Sequence, residues 1–240
     1  MTEPVLDAVD LVQFLGHGAG RVQALKGVSL SLRGGELVLL MGPSGSGKTT
    51  LLSVMGCLMT PASGIVRVGG QSIAGTDPEA LARLRRDHIG FIFQSYHLFP
   101  TLTAEENVRL ALDVRGRRFR RAKIAARESL AMVGLSHKTK AFPIELSGGE
   151  QQRVAIARAI VGNATAILAD EPTGALDTQN GQAIMTVLAQ IAKDQSRGVL
   201  VVTHDPRILS FANRVVHIED GRIVREEPGE HGKEQRVLRS

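Results

Sequence analysis

The sequence predicts an α/β fold, a parallel β-sheet buried on both faces with helices on either side. Three observations carry this. The clearest apolar runs, Leu37–Met41, Ile89–Phe93, Ala166–Ala169, Val199–Val202 and Val215–Ile218, do not alternate with polar residues, as expected of strands covered on both faces. Helical patterns fall between them, so that strand and helix succeed one another. The first run leads directly into Gly42-Pro-Ser-Gly-Ser-Gly-Lys-Thr49, which fits G-x-x-x-x-G-K-[ST] and sits between a strand and a helix.

In chain order, Val5 to Leu32 and Ile65 to Ile73 read as antiparallel strands, the latter turned by a Gly-Gly hairpin. A helix follows the glycine-rich segment over Lys48 to Leu58. The Ile89–Phe93 strand closes on Gln94, and residues 95–145 carry no strand pattern. There Thr103-Ala-Glu-Glu106 is a capping box opening one helix, and Lys123 to Met132 suggests a second. Leu146-Ser-Gly-Gly-Glu-Gln-Gln152 opens a helix running to about Val161, with Ser147 and Glu150 at capping-box spacing. The next helix, Thr178 to Ala192, gathers Ile184, Val187, Leu188 and Ile191 on one face. These elements describe one domain over residues 5–228, its core from about 5–94 and 160–228 and an inserted helical subdomain at about 95–159. A charged tail follows at 229–240.

The composition, 43% hydrophobic and 22% charged over 240 residues, is that of a globular chain and excludes disordered, collagen-like and membrane-embedded classes. Cys57 is the single cysteine, so neither an internal disulfide nor a Cys-rich zinc site is available and an intracellular chain is expected. The richest stretch, Ala155 to Ala169, is interrupted by Arg158, Gly162, Asn163 and Thr165, and falls short of the roughly 18–20 apolar residues that span a bilayer. The acidic amino terminus lacks a basic-then-apolar signal pattern. The net charge of +5 fits nucleic acid, a membrane surface or mere solubility. Having only 7 Phe, 1 Tyr and no Trp argues against base stacking on single strands.

The chemistry starts from Gly42, Pro43, Ser44, Gly45, Ser46, Gly47, Lys48, Thr49 and Thr50. Glycines let backbone N–H groups wrap phosphates, and the helix N-terminus adds a favourable dipole. Lys48 neutralises phosphate charge and the Thr49 hydroxyl reaches Mg²⁺. A plain Gly/Ser turn is the bland alternative. Ala166-Ile-Leu-Ala-Asp170-Glu171 is an apolar strand ending in two acids. Beside a phosphate loop, Asp170 is expected to orient the hydration shell of Mg²⁺ and Glu171 to polarise an attacking water, whereas alone the pair could mark a strand leaving for solvent. Ser147, Gly148 and Gly149 form either a simple helix start or a second anion site at a positive helix end.

Taken together, LSGGEQQ, the phosphate loop, Gln94 after its apolar run, Asp170-Glu171, Ala175-Leu-Asp177 and a strand-terminal His204 resemble the nucleotide-binding domain of ABC ATPases, from about Val5 to Arg225. The stretch from Arg83 to Val108 is similar to the ATPase subunits of lipoprotein-releasing, macrolide-export and heterocyst-glycolipid-export systems. The resemblance implies a P-loop NTPase of the ABC type, with a RecA-like parallel core, an antiparallel β subdomain and a helical insertion. It further implies that Gln94 contacts Mg²⁺ or its water and senses a transmembrane partner, that His204 contacts the γ-phosphate and that Asp177 links two active sites. Singly, these would be a loop glutamine, a strand-end histidine and a helix N-cap.

The same resemblance implies ATP and Mg²⁺ as ligands and a second copy of the chain as partner, each ATP clasped between the phosphate loop of one copy and Ser147-Gly148-Gly149 of the other. Driven by this closure would be a transmembrane permease subunit, with a periplasmic adaptor reached through it, at the cytoplasmic face of the inner membrane. Export or lipid release is favoured because only 15 charged-rich residues follow Arg225, too few for a folded regulatory domain. The family usually stacks adenine on a Tyr 25–30 residues before the loop. Tyr96 is misplaced for this, and Phe14, at 42 − 14 = 28 residues, is expected to take the role unless it is a core residue. Arg109, Arg115, Arg117, Arg118, Arg120, Arg121, Lys123 and Arg127 against Asp113 give a local 8 − 1 = +7, either a solvated helix face or a docking surface for a membrane or partner. The rivals are a nucleic-acid-acting ABC ATPase of repair or translation and a P-loop kinase. The first lacks its coiled-coil insertion, zinc cysteines or second cassette here, and the second leaves LSGGE unexplained.

Overall fold

The computed structural model describes residues 3–114, 119–162 and 164–230. Its strands are β1 (Leu6–Leu15), β2 (Val22–Leu32), β3 (Leu37–Met41), β4 (Ser63–Val68), β5 (Gln71–Ser72), β6 (Ile89–Phe93), β7 (Ala166–Asp170), β8 (Gly198–Thr203), β9 (Arg214–Glu219) and β10 (Arg222–Pro228). Its helices are α1 (Lys48–Met55), α2 (Pro78–His88), α3 (Ala104–Asp113), α4 (Phe119–Met132), α5 (Gly148–Ile160) and α6 (Thr178–Ala192). Among the described residues no helix is long and apolar enough to cross a membrane.

The larger sheet has the order β10-β9-β3-β8-β7-β6, parallel throughout except for the antiparallel β10 at its edge. Its strands lack polar alternation because both faces are covered. Leu37, Leu39 and Met41 of β3, Ile167 and Ala169 of β7 and Val199 and Val201 of β8 enter one core with α3, α4, α5 and α6. Val38 and Leu40, Ala166 and Leu168, and Leu200 and Val202 enter the other core with α1, α2 and the four-stranded sheet β2-β1-β4-β5. Burying each of the larger aliphatic side chains contributes roughly 1.5–3 kcal/mol, and two such layers on one sheet leave no solvated face to mark with polar residues. The inserted helices thus share a core with the sheet.

Several elements differ from their sequence expectation. Helix α1 ends at Met55, three residues before Leu58: Gly56 lies so close to Phe91 that a Cβ would stand 2.0 Å from its ring, and Cys57 turns the chain at φ 57. Helix α4 begins at Phe119, upstream of Lys123. Helix α2 was not expected, because it is predominantly polar and of its side chains only Leu84 is buried. It is started by Asp77, whose carboxylate accepts from Ala80 N at 2.9 Å, with Pro78 in the first turn.

The basic run is answered by acids in part, Arg120 and Arg121 remaining exposed. Arg109 meets Asp113 at 3.2 Å, while Lys123 (3.9 Å) and Arg127 (2.5 Å) both face the nearly buried Glu105 of α3. Arg115, Arg117 and Arg118 lie outside the described residues.

Candidate active site

Four adjacent parallel strands, in the order β3-β8-β7-β6, deliver the candidate residues at their carboxyl ends: the phosphate loop after β3, His204 after β8, Asp170 and Glu171 at the end of β7, and Gln94 after β6. This is the edge at which open α/β sheets bind ligands. A cavity of about 740 Å³ opens there, its wall formed by the loop residues with Gln94, Glu171 and His204.

The loop takes its shape from Gly45 and Gly47, at φ 78 and 103, where L side chains are disfavoured. Gly47 starts α1 with its carbonyl accepting from Leu51 N at 2.8 Å. It also lies against β2, where a Cβ would stand 2.6 Å from Ala24 O. The loop is braced from beneath by the β9–β10 turn, Gly221 N donating to Ser46 O at 3.0 Å. Lys48 is nearly buried and donates through Nζ to Gly42 O and Pro43 O at 2.8 Å each. A phosphate entering the loop offers the same ammonium better acceptors.

Thr49 Oγ1 donates to Asp170 Oδ1 at 3.4 Å. Burial, the largest cause, holds the Asp170 carboxyl above the ordinary carboxylate range; the Thr49 hydroxyl opposes this, the Glu171 charge adds to it and Lys48 opposes it. Asp170 forms no ion pair among the described residues. A half-buried carboxylate bonded to the Thr49 hydroxyl, with Thr49 and Gln94 both in the cavity wall, is a hard-oxygen set of the kind Mg²⁺ takes. Glu171 sits at φ 47, a strained backbone for a non-glycine residue, and its Oε1 lies 2.7 Å from His204 Nδ1. The carboxylate and the imidazole therefore hold each other at the cavity mouth.

Ser147, Gly148 and Gly149 are not brought to this cavity. The Ser147 hydroxyl accepts from Glu150 N at 3.2 Å and the Glu150 carboxylate accepts from Ser147 N at 2.8 Å, so the capping box is complete and opens α5. Gly148 packs beneath Tyr96, whose hydroxyl would lie 3.0 Å from an added Cβ, and Gly149 packs against Asn180. Asp177 caps α6, accepting from Asn180 N at 3.0 Å. On the side of β1 and β2 the cavity wall includes Leu15, Val22, Gln23 and Ala24. Phe14 lines a separate depression and carries the Arg21 guanidinium on its face, 4.1 Å from the ring centroid. The β1–β2 register shifts between Gln13 and Phe14, so strict alternation does not hold at this end of the strand. Leu15 and Val22 left no signal of their own.

Comparison with known proteins gives one answer at three levels. A profile of the family described as ABC transporter matches residues 25–174. Similar curated relatives include the macrolide export ATP-binding/permease proteins MacB of Shigella flexneri and of Escherichia coli strain K12, each 47% identical over 225 residues. That alignment covers 94% of this chain but 35% of the relative, so the chain spans about a third of the length of these proteins. Among solved structures, the dimeric post-hydrolysis state of the ATP-binding cassette MJ0796 bound to ADP and Pi is 40% identical, with a TM-score of 0.84 over 93% of this chain and 98% of that one. CbiO1 from Clostridium perfringens, part of the ABC transporter complex cbiONQ, is 25% identical, with a TM-score of 0.85 over 99% of this chain and 94% of that one. These likenesses favour a transporter cassette over a nucleic-acid-acting ATPase. With the phosphate loop, the paired acids and the capped LSGGE helix in their places on a doubly covered parallel sheet, the chain belongs to the ABC transporter family as an ATPase cassette.

Proposed function

We propose that the chain hydrolyses ATP to ADP and phosphate between two copies of itself and passes the closing and opening motion to a transmembrane permease. The observation that carries this reading is the separation of the two anion-binding segments within one chain. The phosphate loop, Glu171 and His204 share one cavity, while Ser147, Gly148 and Gly149 lie outside its wall. Phosphoryl transfer needs charge stabilised on both sides of the γ-phosphate, and a second copy supplies the missing side. The dimeric MJ0796 cassette supports the same arrangement.

In this reading Lys48 and the loop amides bind the phosphates. Glu171 accepts a proton from the attacking water, and His204, bonded to it, orients the carboxylate and meets the γ-phosphate. Thr49, Asp170 and Gln94 would hold Mg²⁺, which when bound supplies neutralising charge to the phosphates. Asp177, at the start of α6, links the two sites across the pair. By analogy with MacB, the driven process is export or lipid release, with the cassette peripheral at the cytoplasmic face of the inner membrane and an adaptor reached through the permease.

The test is Glu171→Gln. The variant keeps its affinity for ATP, accumulates a closed dimer and loses turnover by about 10²- to 10⁴-fold, the range of general-base contributions. Wild-type phosphate release from the variant refutes the assignment of the base. In wild type, turnover per chain rises with protein concentration until dimerisation saturates.

A further inference from the structure

The turn that follows the second acid is tied to the LSGGE helix by one buried side chain. Glu171, Pro172, Thr173 and Gly174 form a β-turn, closed by Gly174 N donating to Glu171 O at 3.0 Å. Pro172 is buried and has no N–H, so its carbonyl is the polar backbone group by which a neighbour can grip it. Gln152 of α5, at 0% exposure, donates through Nε2 to that carbonyl at 2.9 Å. An acceptor facing it fixes which end of the amide points there, since the oxygen end would be repelled.

The other end of the amide is unsatisfied: Gln152 Oε1 is buried and meets no hydrogen-bond partner among the described residues. An unpaired buried acceptor costs desolvation free energy, which offsets what the Pro172 bond contributes. An unbranched apolar side chain of similar length fills the same space without that cost. Stability is therefore not what the amide supplies here. What the amide alone supplies is a fixed direction for the Pro172 carbonyl, in the turn that Glu171 begins at a strained φ of 47.

We propose that Gln152 is a positioning residue for ATP hydrolysis: by holding the Pro172 carbonyl it sets the direction in which Glu171 presents its carboxylate to the cavity. The inference rests on the reading of Glu171 as the base. It also ties that carboxylate to α5, whose first residues are Gly148 and Gly149, so that a shift of the helix start is felt at the acid.

The test uses the full 240-residue chain, steady-state phosphate release and thermal denaturation. Gln152→Met keeps the length and removes the donor. Its kcat falls about 10- to 100-fold, the cost of misplacing a reacting group by about 1 Å. Its KM for ATP stays within about twofold of wild type, because the phosphate loop is untouched. Its Tm stays within about 3 °C, because one lost bond and one relieved unpaired acceptor oppose each other. Gln152→Glu provides a second reading. Burial raises its carboxyl pKa, and the protonated form donates O–H to the Pro172 carbonyl. Its activity relative to wild type at the same pH therefore climbs as the pH is lowered, the ratio removing whatever pH dependence the two proteins share. Wild-type kcat in Gln152→Met, a larger Tm loss that accounts for the lost activity by unfolding, or a flat Gln152→Glu ratio each overturns the proposal. An inactive Glu171→Gln beside a wild-type Gln152→Met sinks this inference alone. An active Glu171→Gln sinks the reading on which it rests.

Discussion

Two glycines of the phosphate loop, Gly45 and Gly47, separate backbone strain from steric contact, and substituting each by alanine measures the difference. Both have positive φ, 78 and 103, but a Cβ on Gly45 meets nothing within 4 Å, whereas one on Gly47 meets Ala24 O at 2.6 Å and Leu25 Cδ2 at 3.2 Å. For Gly45→Ala the left-handed backbone costs about 1–2 kcal/mol. Stiffening of the unfolded chain returns about 0.4–1 kcal/mol, so the net loss is about 0.5–1 kcal/mol. For Gly47→Ala the φ lies beyond the left-handed basin and costs of order 1–3 kcal/mol. The contact falls on a backbone oxygen of β2, which moves only with the chain around it, and adds about 1–3 kcal/mol. Net destabilisation is then about 3 kcal/mol, and at about 2–4 °C per kcal/mol for a chain of this size Tm drops by about 6–12 °C, against about 1–4 °C for Gly45→Ala.

Urea and thermal denaturation without nucleotide give these values directly. A repeat with ATP at 100 times its Kd, where wild type gains about 2.7 kcal/mol, reports whether the loop still binds. Equal losses in the two variants refute the claim that the Ala24 carbonyl, and not φ alone, excludes a side chain at Gly47.

Three further outcomes follow from the same geometry. Phe14→Ala leaves ATP affinity within about twofold, while Leu15→Ala or Val22→Ala weakens it about fivefold, the equivalent of about 1 kcal/mol of apolar contact; isothermal titration decides, and the reverse order returns the adenine platform to Phe14. Because the folded Asp170 pKa is raised, its ionised form penalises the native state above that pKa, and the penalty vanishes as the pH falls below the unfolded value, about 3.9. Asp170→Asn is accordingly more stable than wild type at pH 7 by a few degrees, and the two Tm values converge on acidification; divergence on acidification contradicts the burial argument. Ser147→Ala removes the α5 cap, costing about 1 kcal/mol, and lowers Tm by about 2–4 °C, with no change meaning that Glu150 and solvent satisfy the helix start without it.

Local rules account for what the sequence made legible. Apolar runs without alternation announced β3, β6, β7, β8 and β9, and the capping boxes at Thr103 and Ser147 formed as spaced, since a cap needs only residues three apart. Helix α2 escaped because it is predominantly polar and its start is marked only by Asp77 and Pro78. The C-terminal end of α1 escaped because it depends on a neighbour distant in the chain, Phe91.

The residue types of the site, their order and their family membership follow from the chain itself, because strand, glycine loop and helix are short-range patterns. Their assembly does not. Gln94, Asp170, Glu171 and His204 are up to 204 − 94 = 110 residues apart and become neighbours only because β3, β8, β7 and β6 lie side by side and end on one edge. The tertiary structure likewise decided that Leu15 and Val22 line the cavity, that Glu105 answers part of the basic run and that Gln152 grips Pro172. Each of these depends on which side chains long-range burial brings into contact, a property of packing and not of spacing along the chain.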